Sequence, residues 1–282
     1  MGKFTHFSTS IRLLKLGQDD MATKRKTMIL RKGEIIDVAE FHDGNYGAPG
    51  MPRLKKKKPT KEQMVQVNLL NKARVCRLKM LEYINYGDFF ATWTYREECR
   101  PPDMETALKH FQKAIRKVRQ FFQKQSQECY WFRNIEQGTR GAWHIHLVIK
   151  NIEGADSVIR KAWTHGGTYI VEIRESKFYS EDFTKLANYM TKDENTIFHK
   201  KDGTVAKTKI KQANYNSSRN MPLPEPHIDK LQRWKKEIKP KKGYYVASMF
   251  EGINPVTGFK YRRYTMLRIR GDDKHVRSEY IP

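Results

Sequence analysis

Between Glu128 and Lys150 the chain reads ECYWFRNIEQGTRGAWHIHLVIK, and this stretch constrains the fold more than any other. In an extended strand successive side chains point to opposite faces. Trp143, Ile145, Leu147 and Ile149 therefore line an apolar face, while His144 and His146 share the other. The strand expected over residues 130–136 is joined to this one through Gln137-Gly138-Thr139-Arg140-Gly141, a glycine-containing loop of hairpin length. An even antiparallel register puts Glu136 opposite the histidines and on their face. Two imidazoles and a carboxylate gathered on one face have the composition of a metal centre with open positions. Without that register, His144 and His146 are ordinary strand residues.

Two further segments bear on the choice. Residues 181–194, EDFTKLANYMTKDE, repeat Phe183, Leu186, Ala187 and Met190 at helical spacing, and Lys185, Tyr189 and Lys192 fall together on another face. Alone, this is an amphipathic helix with a half-buried tyrosine. Residues 89–95, FFATWTY, form an apolar strand. An apolar strand, a His-x-His strand and a Tyr-x-x-Lys helix, in that order, resemble the HUH-type endonucleases, specifically the single-tyrosine rolling-circle replication initiators (Rep) of plasmids and bacterial phages. The resemblance spans residues 89–193, with a weaker echo at Tyr215-Asn216-Ser217-Ser218-Arg219. It implies an α+β fold with a central antiparallel sheet of about five strands flanked by helices, an RRM-like palm. Strand 89–95 then lies centrally, with Thr92 and Thr94 near the site but outside its chemistry.

In such a site a tyrosine oxygen suits strand transfer because the aryl phosphate it forms keeps the bond energy needed for rejoining. The resemblance makes Tyr189 the nucleophile and Lys192 its helper, lowering the phenol's pKa or clamping a phosphate oxygen, with Lys185 a weaker candidate for the same work. A divalent ion held by His144, His146 and Glu136, Mn²⁺ by ligand type or Mg²⁺ by abundance, would polarise the scissile phosphate. The implied partners are single-stranded or hairpin origin DNA and the host's polymerase. No G-x-x-x-x-G-K-[ST] motif occurs, so strand separation falls to a separate helicase. Only Tyr189 stands in the Tyr-x-x-Lys context, with Tyr179 ten residues earlier outside the helix, so termination calls for a second protomer or another attacking group. A relaxase or single-tyrosine transposase would share this chemistry, and a non-enzymatic nucleic-acid-binding protein would share only the charge.

That charge is one-sided. Lys and Arg outnumber Asp and Glu by 55 to 31, a formal +24, which favours a polyanionic partner over a small substrate. Arg140 in the hairpin loop, and Lys207, Lys209, Lys211, Tyr215 and Arg219 in the basic stretch 207–219, are the candidate strand contacts. Cys76, Cys99 and Cys129 show no C-x-x-C spacing, which argues against a zinc knuckle and a disulfide framework. No apolar run approaches the roughly 20 residues of a membrane span, and the bacterial host's cytoplasm is the expected location.

The domain organisation expected is a basic N-terminal extension and linker over 1–60, the endonuclease domain over 61–235 and a C-terminal hairpin segment over 236–282. Within the first lie a hairpin from Thr27–Leu30 and Gly33–Val38, a Gly/Pro-rich loop at 43–52 and the run Lys55-Lys56-Lys57-Lys58. One long basic helix is expected over 61–86, with Val67, Leu70, Val75, Leu78, Leu81 and Ile84 as its apolar side. A second is expected over 104–125, begun by Pro101-Pro102-Asp103. Beyond the hairpin come a short helix at 155–165 capped by Gly166-Gly167, a strand at 168–174, a short basic helix at 231–236, and strands at 244–250 and 259–269.

Overall fold

A computed structural model of the chain describes residues 23–42, 58–174, 180–200, 204–254 and 258–269. The loop at 43–52, the lysines 55–57, Tyr179 and the centres of the turns at 200–204 and 254–258 lie outside the described residues. Two compact units result: Lys61–Leu223, and a second that combines Met1–Thr60 with Pro224–Pro282.

In the central unit, α1 (Lys61–Tyr83) is followed by β3 (Phe89–Thr94), α2 (Met104–Lys124), β4 (Trp131–Gly138), β5 (Trp143–Ile149), α3 (Ala155–Ala162), β6 (Thr168–Glu172), α4 (Thr184–Thr191) and β9 (Ile210–Ser217), with the small hairpin β7 (Ile197–His199) and β8 (Val205–Lys207) before β9. Five of these strands form one sheet in the order β6-β3-β5-β4-β9, every pair antiparallel. The α+β class and the five-stranded sheet expected from sequence are both present.

The sheet's two faces follow from strand alternation. Trp93, Ile135, Ile145, Leu147 and Ile149 face rearwards into a core with Ala107, Phe111, Val118 and Phe122 of α2 and Ile159 of α3. Trp93 and Trp163 stack there with centroids 5.0 Å apart. Helix α2 starts where expected because the Asp103 carboxylate accepts from the Thr106 amide at 2.8 Å, satisfying an otherwise orphaned donor. The opposite, front face carries His146 and Glu136 and is covered by α4, whose Leu186, Ala187 and Met190 are buried.

Helix α1 departs from its expected pattern. Its buried residues are Cys76, Arg77, Leu78, Met80 and Leu81, all in its second half, while Val67, Leu70 and Val75 are exposed. Gly166 and Gly167 do not cap α3, which ends at Ala162 with an extended Trp163. Their smallness serves a close approach instead: a Cβ on Gly166 would stand 2.1 Å from the Thr94 carbonyl oxygen.

The second unit, outer in sequence, is another antiparallel sheet, built from β1 (Thr23–Leu30), β2 (Ile35–His42), β10 (His227–Leu231), β11 (Tyr244–Ile253) and β12 (Lys260–Arg268) in the order β10-β1-β2-β12-β11. The two ends of the chain, expected as separate segments, thus pair strand to strand. Glu40 lies directly between Arg25 on β1 and Arg262 on β12, and it accepts from each at 2.5 Å. The short helix expected over 231–236 does not form. Leu231 ends β10, and Trp234 is buried against the Arg262 guanidinium, 4.6 Å from its ring centre.

Candidate active site

The β4–β5 hairpin pairs Asn134-Ile135-Glu136 with His144-Ile145-His146 residue for residue: Glu136 lies opposite His144 and Asn134 opposite His146. On the far side of β5, Thr94 faces His144 and Thr92 faces His146. One patch of the front face therefore gathers two imidazoles, a carboxylate, an amide and two hydroxyls. Thr92 Oγ1 lies 3.2 Å from His146 Nδ1. Nε2 of the same ring is 3.0 Å from Glu136 Oε1 and 3.1 Å from the Tyr189 hydroxyl. Lys192 closes the group, with Nζ 3.2 Å from Glu136 Oε1, 3.1 Å from Oε2, and 3.9 Å from the centre of the Tyr189 ring. His144, His146, Glu136, Tyr189 and Lys192 are thus brought together.

Helix α4 holds the phenol in place, and both of its ends are anchored. Before it, Phe183 takes a left-handed conformation at φ 58°, strained for a bulky residue but buried. The neighbouring Asp182 carboxylate accepts from the Thr184 amide and hydroxyl and pairs with Arg77 of α1 at 3.2 Å. After it, Asp193 pairs with Lys72 of α1 at 2.7 Å. The Asn134 amide donates to the Lys192 carbonyl at 3.0 Å, tying the helix end to β4. Phe90 stacks on His146 and meets Tyr189 edge-on, walling the phenol on its apolar side.

Burial raises the Tyr189 phenol to about 12, with the Glu136 carboxylate pushing the same way. Lowering that pKa is one of the two parts the resemblance implies for Lys192, the other being to clamp a phosphate oxygen. Lys192 lies over the ring face with its ammonium bonded to Glu136, so no hydrogen bond reaches the phenol oxygen from it. Burial alone would raise the Glu136 carboxyl, but the His146 hydrogen bond and the charges of His146 and Lys192 outweigh it and hold it below the usual range. Burial lowers His144, as does the charge of His146, which keeps its imidazole neutral at neutral pH.

The residues present suit a divalent cation in kind. If Nδ1–H of His146 is donated to Thr92, Nε2 turns a lone pair toward a carboxylate oxygen, an arrangement that calls for a proton or cation between them. Asn134 Oδ1 is a further buried oxygen without a hydrogen-bond partner. The His144 ring centre stands 6.3 Å from that of His146, and among the described residues no three His, Cys, Asp or Glu side chains converge as they stand.

The remaining candidates are dispersed. Lys185 is exposed on α4 one turn before Tyr189, and Arg140 is exposed at the hairpin tip. Lys207, Lys209 and Lys211 are exposed along β8 and the outermost strand β9. Tyr215 is half-buried and hydrogen-bonded to Cys76 of α1 and to Ser217. Arg219 is exposed beyond β9 and lines a groove on the other side of the sheet. Asn134, Phe90 and the ion-pairing residues of α1 were not anticipated. Asn134 alone carried a signal, since Asn-x-Glu mirrors His-x-His across the hairpin.

The fold and site define an antiparallel α+β domain in which a tyrosine is set against a strand histidine. Residues 88–194 match the family model for replication-associated protein ORF2/G2P, and this match supports a replication initiator, a Rep. Comparison with curated proteins and with solved structures finds no match. No helix among the described residues is long and apolar enough to cross a membrane.

Proposed function

We propose that the chain nicks one strand of DNA at a replication origin by attack of Tyr189 on a backbone phosphate. The new bond joins the phenol oxygen to phosphorus, and the bond to the 3′ oxygen breaks. A 5′-phosphotyrosyl link and a free 3′-hydroxyl result, the latter able to prime synthesis. Attack by that hydroxyl on the tyrosyl phosphate reverses the step and rejoins the strand. The observation that carries this reading is the 3.1 Å approach of the Tyr189 hydroxyl to His146 Nε2, within the segment that matches the replication family.

Each side chain has a part. Thr92 and Phe90 fix the His146 ring, and His146 fixes the phenol oxygen. Walled by Phe90 and raised to about 12, the phenol stays protonated at rest, so it does not react until a phosphate arrives. Lys192, already over the ring, offers its ammonium to an incoming phosphate oxygen in place of one of its contacts to Glu136. His144, His146 and Glu136 would hold a divalent ion, Mn²⁺ or Mg²⁺, which would supply charge for the phosphate and the departing oxygen. The lysines of β8 and β9 and Arg140 suit strand contacts, while Tyr215, engaged beneath α1, offers less for base stacking.

The test is incubation with single-stranded circular DNA and Mn²⁺, resolved on a denaturing gel. A protein band carrying covalent DNA, absent from Tyr189→Phe and from an EDTA control, is the expected result. An adduct that persisted in Tyr189→Phe would overturn the assignment of the nucleophile. A relaxase or transposase would pass the same test, and cleavage preference for an origin hairpin separates them. A pure binding protein would show salt-dependent affinity with no adduct and no gain from Mn²⁺.

A further inference from the structure

Behind the sheet, on the face away from Tyr189, lies a groove of about 1120 Å³ between α2 and the outermost strand. Its origin is a mismatch of widths. Helices α2 and α3 cover the rear of β3, β5 and β4, and the rear of β9 is left with Gln212, Asn214 and Asn216, a row of amides in place of apolar residues. The helix wall facing them is equally polar. Arg116, Arg119, Gln120 and Gln123 line it, and Arg219 stands at the strand side.

Arg133 lies between the two walls and is 4% exposed. Its guanidinium donates to the carbonyl and side-chain oxygens of Asn214 at 2.8 and 3.2 Å and lies 5.0 Å from the Phe111 ring centre. Its Nε is buried with no hydrogen-bond partner, and none of the ion pairs among the described residues includes it. Burial lowers its pKa to about 10, still well above neutrality, so the group is charged. A buried cation without a counter-charge is costly to the fold, and its unmet donor is capacity for an anion. Glu128 is the one acidic residue lining the groove, and it accepts instead from Asn220 at 2.6 Å.

We infer that this groove is a second DNA-binding site, in which Arg133 receives a backbone phosphate of a single strand and Arg116, Arg119 and Arg219 meet its neighbours. The volume exceeds what one phosphate needs and matches the larger ligand pockets. A concave slot admits a few nucleotides of an extended strand, whereas a duplex, with phosphates on a convex surface, would meet only its rim. The amides on both walls can pair with base edges, and the guanidinium groups with phosphate oxygens. The site is independent of the tyrosine chemistry and lies across the sheet from it, so a strand held there stays bound while another is cut and released.

The test is titration of the full chain with fluorescent single-stranded DNA across a range of salt, read by anisotropy, alongside adduct formation on the same samples. Arg116→Ala/Arg119→Ala removes two exposed side chains that pair with nothing the fold needs. We expect weaker binding and a log K against log salt slope smaller by about 1.4, from two contacts at about 0.7 each, with adduct formation retained on a short oligonucleotide. Arg133→Met, checked for its fold by circular dichroism, should weaken binding further. Unchanged affinity and slope in the double variant would overturn the proposal, as would a chain that binds no DNA. So would a double variant that loses only pyrophosphate binding, which would make the groove a site for free phosphate anions. Salt-sensitive binding with no adduct in the wild type would sink the nicking reading and leave the groove standing.

Discussion

The chain contains two five-stranded antiparallel sheets, and they differ in how their polar interior residues are used. In the outer unit, Arg25, Glu40 and Arg262 sit opposite one another on three adjacent strands, and with Glu251 near Arg262 the two cations meet two carboxylates. In the central unit, His146, Glu136 and Lys192 are gathered as tightly, yet Asn134 Oδ1 and the Nε of Arg133 have no partner. A closed set of charges holds strands in register. An incompletely satisfied one leaves capacity for a ligand, and a fold tolerates that cost only where the rest of the unit supplies stability.

The most severe way to break this contrast is to remove His146. His146→Ala takes away the group against the phenol and one of the candidate ion ligands, and adduct formation should fall by about 10²–10⁴-fold. The ring is buried beneath Phe90, so the variant should melt lower while the sheet stays folded. Quantified adduct yield beside a thermal melt checks both halves. A variant of wild-type activity would remove His146 from the mechanism.

Glu40→Ala asks the converse question of the outer sheet. It leaves Arg262, which is 1% exposed, with only the longer 3.7 Å pairing to Glu251, and breaking a buried pair from one side costs about 3–5 kcal/mol. Hydrogen exchange should show loss of protection in β1, β2 and β12, with adduct formation on a short oligonucleotide unchanged. Protection lost equally in β4 and β5 would mean that the two units do not unfold separately.

A gentler probe uses pH. In the central unit, His110 and His165 stack with centroids 3.9 Å apart, and burial lowers the pKa of both, aided by the charge of Lys113 and, for His165, by His110 and Arg96. The folded state therefore binds fewer protons than the unfolded one just below the unfolded histidine value of 6.5. Stability is present above that pH and falls as the solution is acidified through it. Denaturant midpoints at pH 7 and pH 5 should show the loss, and His110→Phe, which keeps a ring in the stack, should lessen it. A midpoint that rises on acidification would contradict the lowered values.

What the sequence made legible divides along the same line as the two sheets. The β4–β5 hairpin, α2 and α4 were readable because their signals are local: alternation around His144 and His146, an acidic cap at Asp103, and helical spacing of Leu186, Ala187 and Met190. The even register that sets Glu136 opposite His144 is an assumption from sequence, and it is the register the hairpin adopts. The outer sheet was not readable as a unit, since β2 and β12 are separated by the whole central unit and nothing local tells a strand which distant partner it will meet. The setting of the Tyr189 phenol is not legible for a related reason. Tyr-x-x-Lys spacing suggests an ammonium near the oxygen, but α4 ends at Thr191 and the extended backbone of Lys192 carries its side chain over the ring to Glu136.

Tyr215 gives the finest test of how far motif spacing carries over into surface function. It lies in the basic stretch that resembles a strand-binding segment, but β9 turns it to the front, where it bonds to Cys76 and Ser217, while Asn214 and Asn216 on either side face the rear and Asn216 lines the groove. Tyr215→Phe keeps the ring and removes the hydroxyl. It should cost about 1 kcal/mol in stability, the net worth of one buried hydrogen bond, and leave single-strand affinity unchanged. Asn216→Ala, one residue along and facing the groove, should do the reverse, weakening binding modestly with little change in melting temperature. If both variants weakened binding alike, the two faces of β9 would not be functionally distinct, and the separation between the nicking face and the rear groove would fail at the strand they share.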